Sequence, residues 1–167
     1  MKLVHHSAAE ITEILPIDVT PRGKAAYKPN GFWISTDGAD SWQQWCLAED
    51  FCLSKLSHIH DVTLRRDSRV LHLRTGDELL AFTRKYAYPL IPGISSYKAI
   101  NWRRVAETYQ GLLIVPYIWE CRMPEETFWY YGWDCASGVI WDVQAIESIT
   151  LREVINFAAL KQEETSE

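Results

Sequence analysis

Strand-like segments separated by turns, with few helical stretches between them and no regular βαβ alternation, constrain this chain more than any other feature. Lys2 to His6, Phe32 to Ser35, His58 to Leu64 and Arg69 to Leu73 carry the short alternating and β-branched or aromatic runs of half-buried strands. Leu112 to Val115 is wholly apolar and stops at Pro116, while Thr127 to Tyr131 and Val139 to Val143 predict two further strands. Helices are predicted at Asp77 to Tyr86, Asn101 to Tyr109 and Leu151 to Leu160. Another follows Ser41, whose hydroxyl suits an N-cap before Trp42, Trp45 and Cys46. Pro21 to Asn30 and Pro89 to Ser96 read as loops. This pattern excludes a doubly wound fold and predicts an α+β domain with a split, mostly antiparallel β-sheet and a few flanking helices. Residues 1–160 read as a single domain and residues 161–167 as a flexible tail.

At 167 residues with 47% apolar content, the chain can bury a core without disulfides. Cys46, Cys52, Cys121 and Cys135 form no C-x-x-C pair and lack zinc-finger spacing to histidine, so reduced thiols, a cytoplasmic location and no metal are expected. No apolar run reaches signal-peptide or membrane-spanning length, and no membrane association is expected. A net charge of −5 argues against a protein coated in basic residues for duplex binding. The runs Arg65-Arg66, Arg84-Lys85 and Arg103-Arg104 leave room for a local phosphate-contacting groove. Eight Trp and eight Tyr supply core-filling rings and also suit a cleft that stacks flat ligands.

Three short stretches concentrate the residues suited to such a cleft. A strand ending in His5-His6-Ser7 alternates its faces, which predicts His5 and Ser7 on one side, facing the cleft with Trp33, and His6 on the other. An imidazole and a hydroxyl side by side can hydrogen-bond a ribose or an amide. Gly31, before Phe32-Trp33, permits close backbone approach to a planar ligand. Ser41 follows Trp33 by eight residues, and Trp45 lies one helical turn further on. Asp134 and Ser137 lie in Trp133-Asp134-Cys135-Ala136-Ser137-Gly138, ahead of the late apolar strand.

The order and spacing of Leu3-Val4-His5-His6-Ser7, Gly31-Phe32-Trp33 with Ser41, and Ser137-Gly138-Val139-Ile140-Trp141 resemble the ADP-ribosyltransferases related to the poly(ADP-ribose) polymerases. That resemblance implies NAD as substrate. It puts His5 and Ser7 on the adenosine side, with Gly31, Trp33, Ser41 and Trp45 around the nicotinamide. Trp33 stands where the family has a stacking Tyr, and Ser137 where it has the catalytic Glu. Asp134 is the first candidate to supply the missing carboxylate, with Glu125 and Glu126 next, so the catalytic set is Asp134, Ser137 and His5. The implied activity is mono-ADP-ribosylation of a protein or nucleic-acid acceptor. The run from Lys28 to Cys46 and the later Trp133 to Gly138 are also similar to small phage and bacterial toxin or defence proteins, which implies an antitoxin or other protein partner. Two alternatives share these residues: an inactive module that binds ADP-ribose or an RNA end, and a phage-encoded interaction protein. P-loop, G-x-G-x-x-G, H-E-x-x-H and G-x-S-x-G motifs are absent.

Overall fold

Alternation along β1 (Leu3–Ser7) and β2 (Phe32–Thr36) sends Val4, His6, Trp33 and Ser35 to one face of a sheet and Leu3, His5, Phe32 and Ile34 to the other. These strands are central in a seven-stranded sheet seen in a computed structural model, which describes residues 1–20, 27–91 and 94–156. The sheet is completed by β3 (His58–Leu64), β4 (Val70–Leu73), β7 (Gly111–Ile114), β8 (Ser137–Ile140) and β9 (Ile146–Val154). Its order is β4-β7-β8-β2-β1-β3-β9, with β4 and β7 parallel and every other neighbour pair antiparallel. A separate hairpin joins β5 (Ala87–Ile91) to β6 (Ile94–Ile100). The architecture is therefore α+β on a mixed, mostly antiparallel sheet.

Three helices carry their own stop and start chemistry. In α1 (Trp42–Ala48) the Ser41 hydroxyl accepts the Gln44 amide proton. In α2 (Gly76–Tyr86) Thr75 caps Glu78 and the Glu78 carboxylate accepts from the Arg74 amide at 2.6 Å, a one-residue variant of the capping box. In α3 (Trp102–Ala106) the Asn101 side chain accepts from the Arg104 amide.

Two apolar clusters lie on the Trp33 face. The larger gathers Trp102, Trp129, Tyr130 and Trp133 under α2 and α3, against Leu112, Ile114 and Val139 of the sheet. The smaller packs Cys46 of α1 and Leu56 on Val4 and Ile59. On the opposite face Phe32, Ile34, Leu113 and Ile140 are covered by Ile11, Ile14 and Ile17, from a stretch without regular secondary structure.

Several expected elements differ. Thr127 to Tyr131 is not a strand but part of a 3₁₀ stretch, Glu125–Gly132. Trp129 and Tyr130, adjacent in sequence, bury in the same apolar cluster, where a strand would turn them to opposite faces, and the Thr127 hydroxyl donates to the Cys121 carbonyl at 2.7 Å. Leu151 to Val154 belongs to β9 rather than to a closing helix, because pairing with β3 overrides the helical propensity of Leu-Arg-Glu. Residues 157–160 of that expected helix and the expected tail 161–167 lie outside the described residues. The expected loop Pro89 to Ser96 falls largely within the β5–β6 hairpin. The late strand ends at Ile140 instead of Val143, where Asp142 caps a 3₁₀ turn.

Candidate active site

The strands β1 and β2 share only two paired positions, Leu3 with Thr36 and Val4 with Ser35, whereas β1 pairs β3 along all five residues. Past Val4 the connection to β2 is carried by a side chain: His5 Nδ1 donates to the Trp33 carbonyl oxygen at 2.6 Å, and its ring stacks on Phe32 at 4.2 Å. Beside this gap, between the two apolar clusters, lies a cavity of about 280 Å³. Val4, His5 and His6 line it from β1, Trp33, Ile34 and Ser35 from β2, Trp42 from α1, Cys135 from the approach to β8 and Ser137 from its first position. Lys28 and Asp134 complete the lining.

The interior wall is electrically neutral. Burial pulls the His5 imidazole down from an ordinary 6.5 to about 4, against the raising effect of its bond to Trp33. Burial lowers His6 as well, outweighing its 3.3 Å contact with the Gln43 side chain. The Cys135 thiol is pushed up to about 11, again by burial, and stays protonated. The Ser137 hydroxyl donates to the Cys135 carbonyl at 3.0 Å. Trp33 meets Trp133 edge-on at 4.9 Å, and the Lys28 ammonium stands 5.1 Å from its ring centroid. Charge is confined to the mouth, where Asp134 lies 3.5 Å from Lys28 and 3.8 Å from Arg122.

The structure thus brings His5, Trp33, Asp134 and Ser137 to one cavity. The expected orientation of β1 is reversed: His6 shares the face of Trp33, because Val4 opposes Ser35 and strand alternation does the rest, while His5 lies over Phe32 and reaches the cavity through the gap. Ser7 is not among the lining residues, and its hydroxyl donates to the Ala9 carbonyl. Gly31 is not among the lining residues, and a Cβ there would overlap Val139 Cγ2 and come 3.0 Å from the Ile140 carbonyl oxygen. Ser41 is spent as the α1 cap. Trp45 stacks on Trp42 at 5.1 Å and stands behind it. Glu126 pairs with Arg84 at 3.1 Å and Lys98 at 3.6 Å, in a different groove. Glu125 is exposed at the start of the 3₁₀ stretch and lines neither this cavity nor that groove.

Sequence reasoning passed over His6, Lys28, Trp42 and Cys135 as site residues. Only Trp42 carried a usable signal, three residues before Trp45 and hence on the same face of a helix. Among the described residues no group of three or more His, Cys, Asp or Glu could hold a metal ion, and no helix is long and apolar enough to cross a membrane. No family model, curated protein or solved structure matches the chain.

Proposed function

We propose that the chain is a mono-ADP-ribosyltransferase that takes NAD, with the nicotinamide ring in the cavity against Trp33. The observation that carries this reading is a neutral, indole-walled slot with one carboxylate, Asp134, at its mouth. A flat aromatic amide gains from stacking on Trp33 and Trp42 and from the imidazoles and hydroxyl within reach. In transfer, the bond from ribose to nicotinamide breaks with its electron pair leaving on nicotinamide, a bond from the acceptor forms at the same carbon, and the acceptor's proton passes to solvent. Asp134 would steady the positive charge that develops on the ribose. Ser137, buried and bonded to a carbonyl, would serve to position and not to carry charge. The acceptor, a protein or nucleic acid, would approach from the Asp134 side, and a toxin or phage-defence role with an antitoxin partner fits this reading.

Nicotinamide release from NAD by the full chain tests the proposal. Asp134→Asn should slow release about 10²-fold while Ser137→Ala is mild. Absence of release by the unmodified protein, with protein and nucleic-acid acceptors present, would overturn it. One observation favours a second reading, an ADP-ribose binding module: Asp134 is already flanked by two cations.

A further inference from the structure

The cavity lies just under the roughly 300–1,000 Å³ of typical small-molecule pockets, so it accepts a ring and part of its sugar but not a whole dinucleotide. The remainder of such a ligand must cross the mouth. There Lys28, which lines the cavity, and Arg122, which stands outside the lining, flank the Asp134 carboxylate, two positive charges against one negative. Neither contact is a good hydrogen bond, at 3.5 and 3.8 Å, whereas Arg152 meets Asp37 at 2.7 Å and Arg84 meets Glu126 at 3.1 Å.

Arg122 is the more telling of the two. Its guanidinium carbon lies 5.9 Å from the Trp119 ring centroid and 5.2 Å from that of Tyr131, and a terminal nitrogen, not Nε, faces Asp134. Its Nε is buried and without a hydrogen-bond partner, a cost the fold accepts without recovering it internally. An arginine edge is suited to an oxyanion with several oxygens, and a lysine adds a second point of charge. Loose, partly exposed ion pairs are worth little, so exchanging Asp134 for a phosphate costs little.

We propose that Lys28 and Arg122 form a diphosphate clamp across the cavity mouth, gripping the two phosphates of a nucleoside diphosphate group and releasing Asp134 from its present ion pairs. The clamp rests on the nucleotide reading of the cavity given above, and it adds the reason why Asp134 is held back until a ligand arrives: the same cations serve both partners in turn.

Calorimetric titration of the full chain with ADP-ribose, inorganic pyrophosphate and nicotinamide tests it. Lys28→Met and Arg122→Gln should each weaken ADP-ribose binding about tenfold or more, since a charge-assisted bond is lost, and Arg122→Gln, outside the cavity lining, should leave nicotinamide affinity unchanged. Asp134→Asn should tighten ADP-ribose binding by removing the competitor for both cations. Unchanged ADP-ribose affinity in the two cation variants, or weaker binding in Asp134→Asn, overturns the clamp. So does an unmodified protein that binds neither ADP-ribose nor pyrophosphate. The expected pattern in a protein that never releases nicotinamide from NAD would uphold the clamp and sink the transferase reading. Should a cation variant fail to fold, the unmodified protein decides: its ADP-ribose affinity must fall as salt rises while its nicotinamide affinity does not.

Discussion

His5 and Trp33 are joined by a side-chain hydrogen bond of 2.6 Å at the point where the backbone pairing of their two strands has stopped. The acceptor is a carbonyl, so Nδ1 carries the proton, and Nε2 remains an acceptor on the neutral ring.

Acid should therefore loosen this junction. The folded His5 pKa is about 4 against an ordinary 6.5, so the unfolded chain takes up the proton first as pH falls. The stabilisation is whole above about 6.5 and is eroded as pH drops toward 4, by an amount on the order of 1–3 kcal/mol. Urea midpoints between pH 7 and 4 check this. His5→Phe should flatten part of the decline, and His6 and His60, both lowered by burial in the same direction, should keep the rest. An identical pH dependence in His5→Phe would refute the assignment.

Stacking in the cavity should depend on Trp33. Trp33→Ala should weaken NAD binding by about 1–3 kcal/mol and Trp33→Tyr should nearly preserve it, as read by calorimetry on folded protein. Equal affinity in Trp33→Ala would remove the indole from the binding surface.

Strand β8 lies too close to its neighbours on both sides for added atoms. A Cβ on Gly138 would overlap Leu113 Cδ2 and fall 2.6 Å from the Leu112 carbonyl oxygen, and one on Gly31 would overlap Val139. Each Gly→Ala change should cost about 1–3 kcal/mol in denaturant unfolding. Gly38→Ala meets nothing within 4 Å but holds φ at +128°, so it should destabilise through backbone strain alone.

A two-step polar link crosses the aromatic core. The Trp129 indole donates to the Thr83 hydroxyl at 2.8 Å, and that hydroxyl donates to the Leu79 carbonyl at 2.9 Å. Thr83→Val keeps the shape and strands the indole N–H, for an expected loss of about 1–3 kcal/mol by thermal unfolding. A neutral result would mean that water reaches Trp129.

Much of this fold was legible where local pattern and burial agree. Phe32 to Ser35 and His58 to Leu64 declare themselves by their β-branched and aromatic residues, which pack on apolar clusters of both sheet faces, and Ser41 announces α1 through a cap that needs only a neighbouring amide. Thr127 to Tyr131 misled because β-branched and aromatic residues fill a core equally well from a 3₁₀ stretch. Leu151 to Val154 misled because its partner, β3, lies about ninety residues earlier, and no local signal reports such pairing. The site divides similarly. Trp33, Asp134 and Ser137, expected together, do line one cavity, but the phase of β1 depends on Val4 meeting Ser35, and the placement of Lys28 and Arg122 beside Asp134 depends on chain segments brought together from far apart.

The ends of the seven-stranded sheet bear on how the protein behaves in crowded solution. Strand β4 is an edge of only four residues, too short to template a neighbour. Strand β9 is a nine-residue edge, but its ladder with β3 is broken at Ile59/His60 and again at Thr63/Leu64, and it carries Glu147, Arg152 and Glu153. Arg152 is drawn sideways to Asp37 and Asp61. A second copy laying a strand along either border meets a short edge on one side and kinks and charge on the other, so concentration should not drive end-to-end growth into fibres.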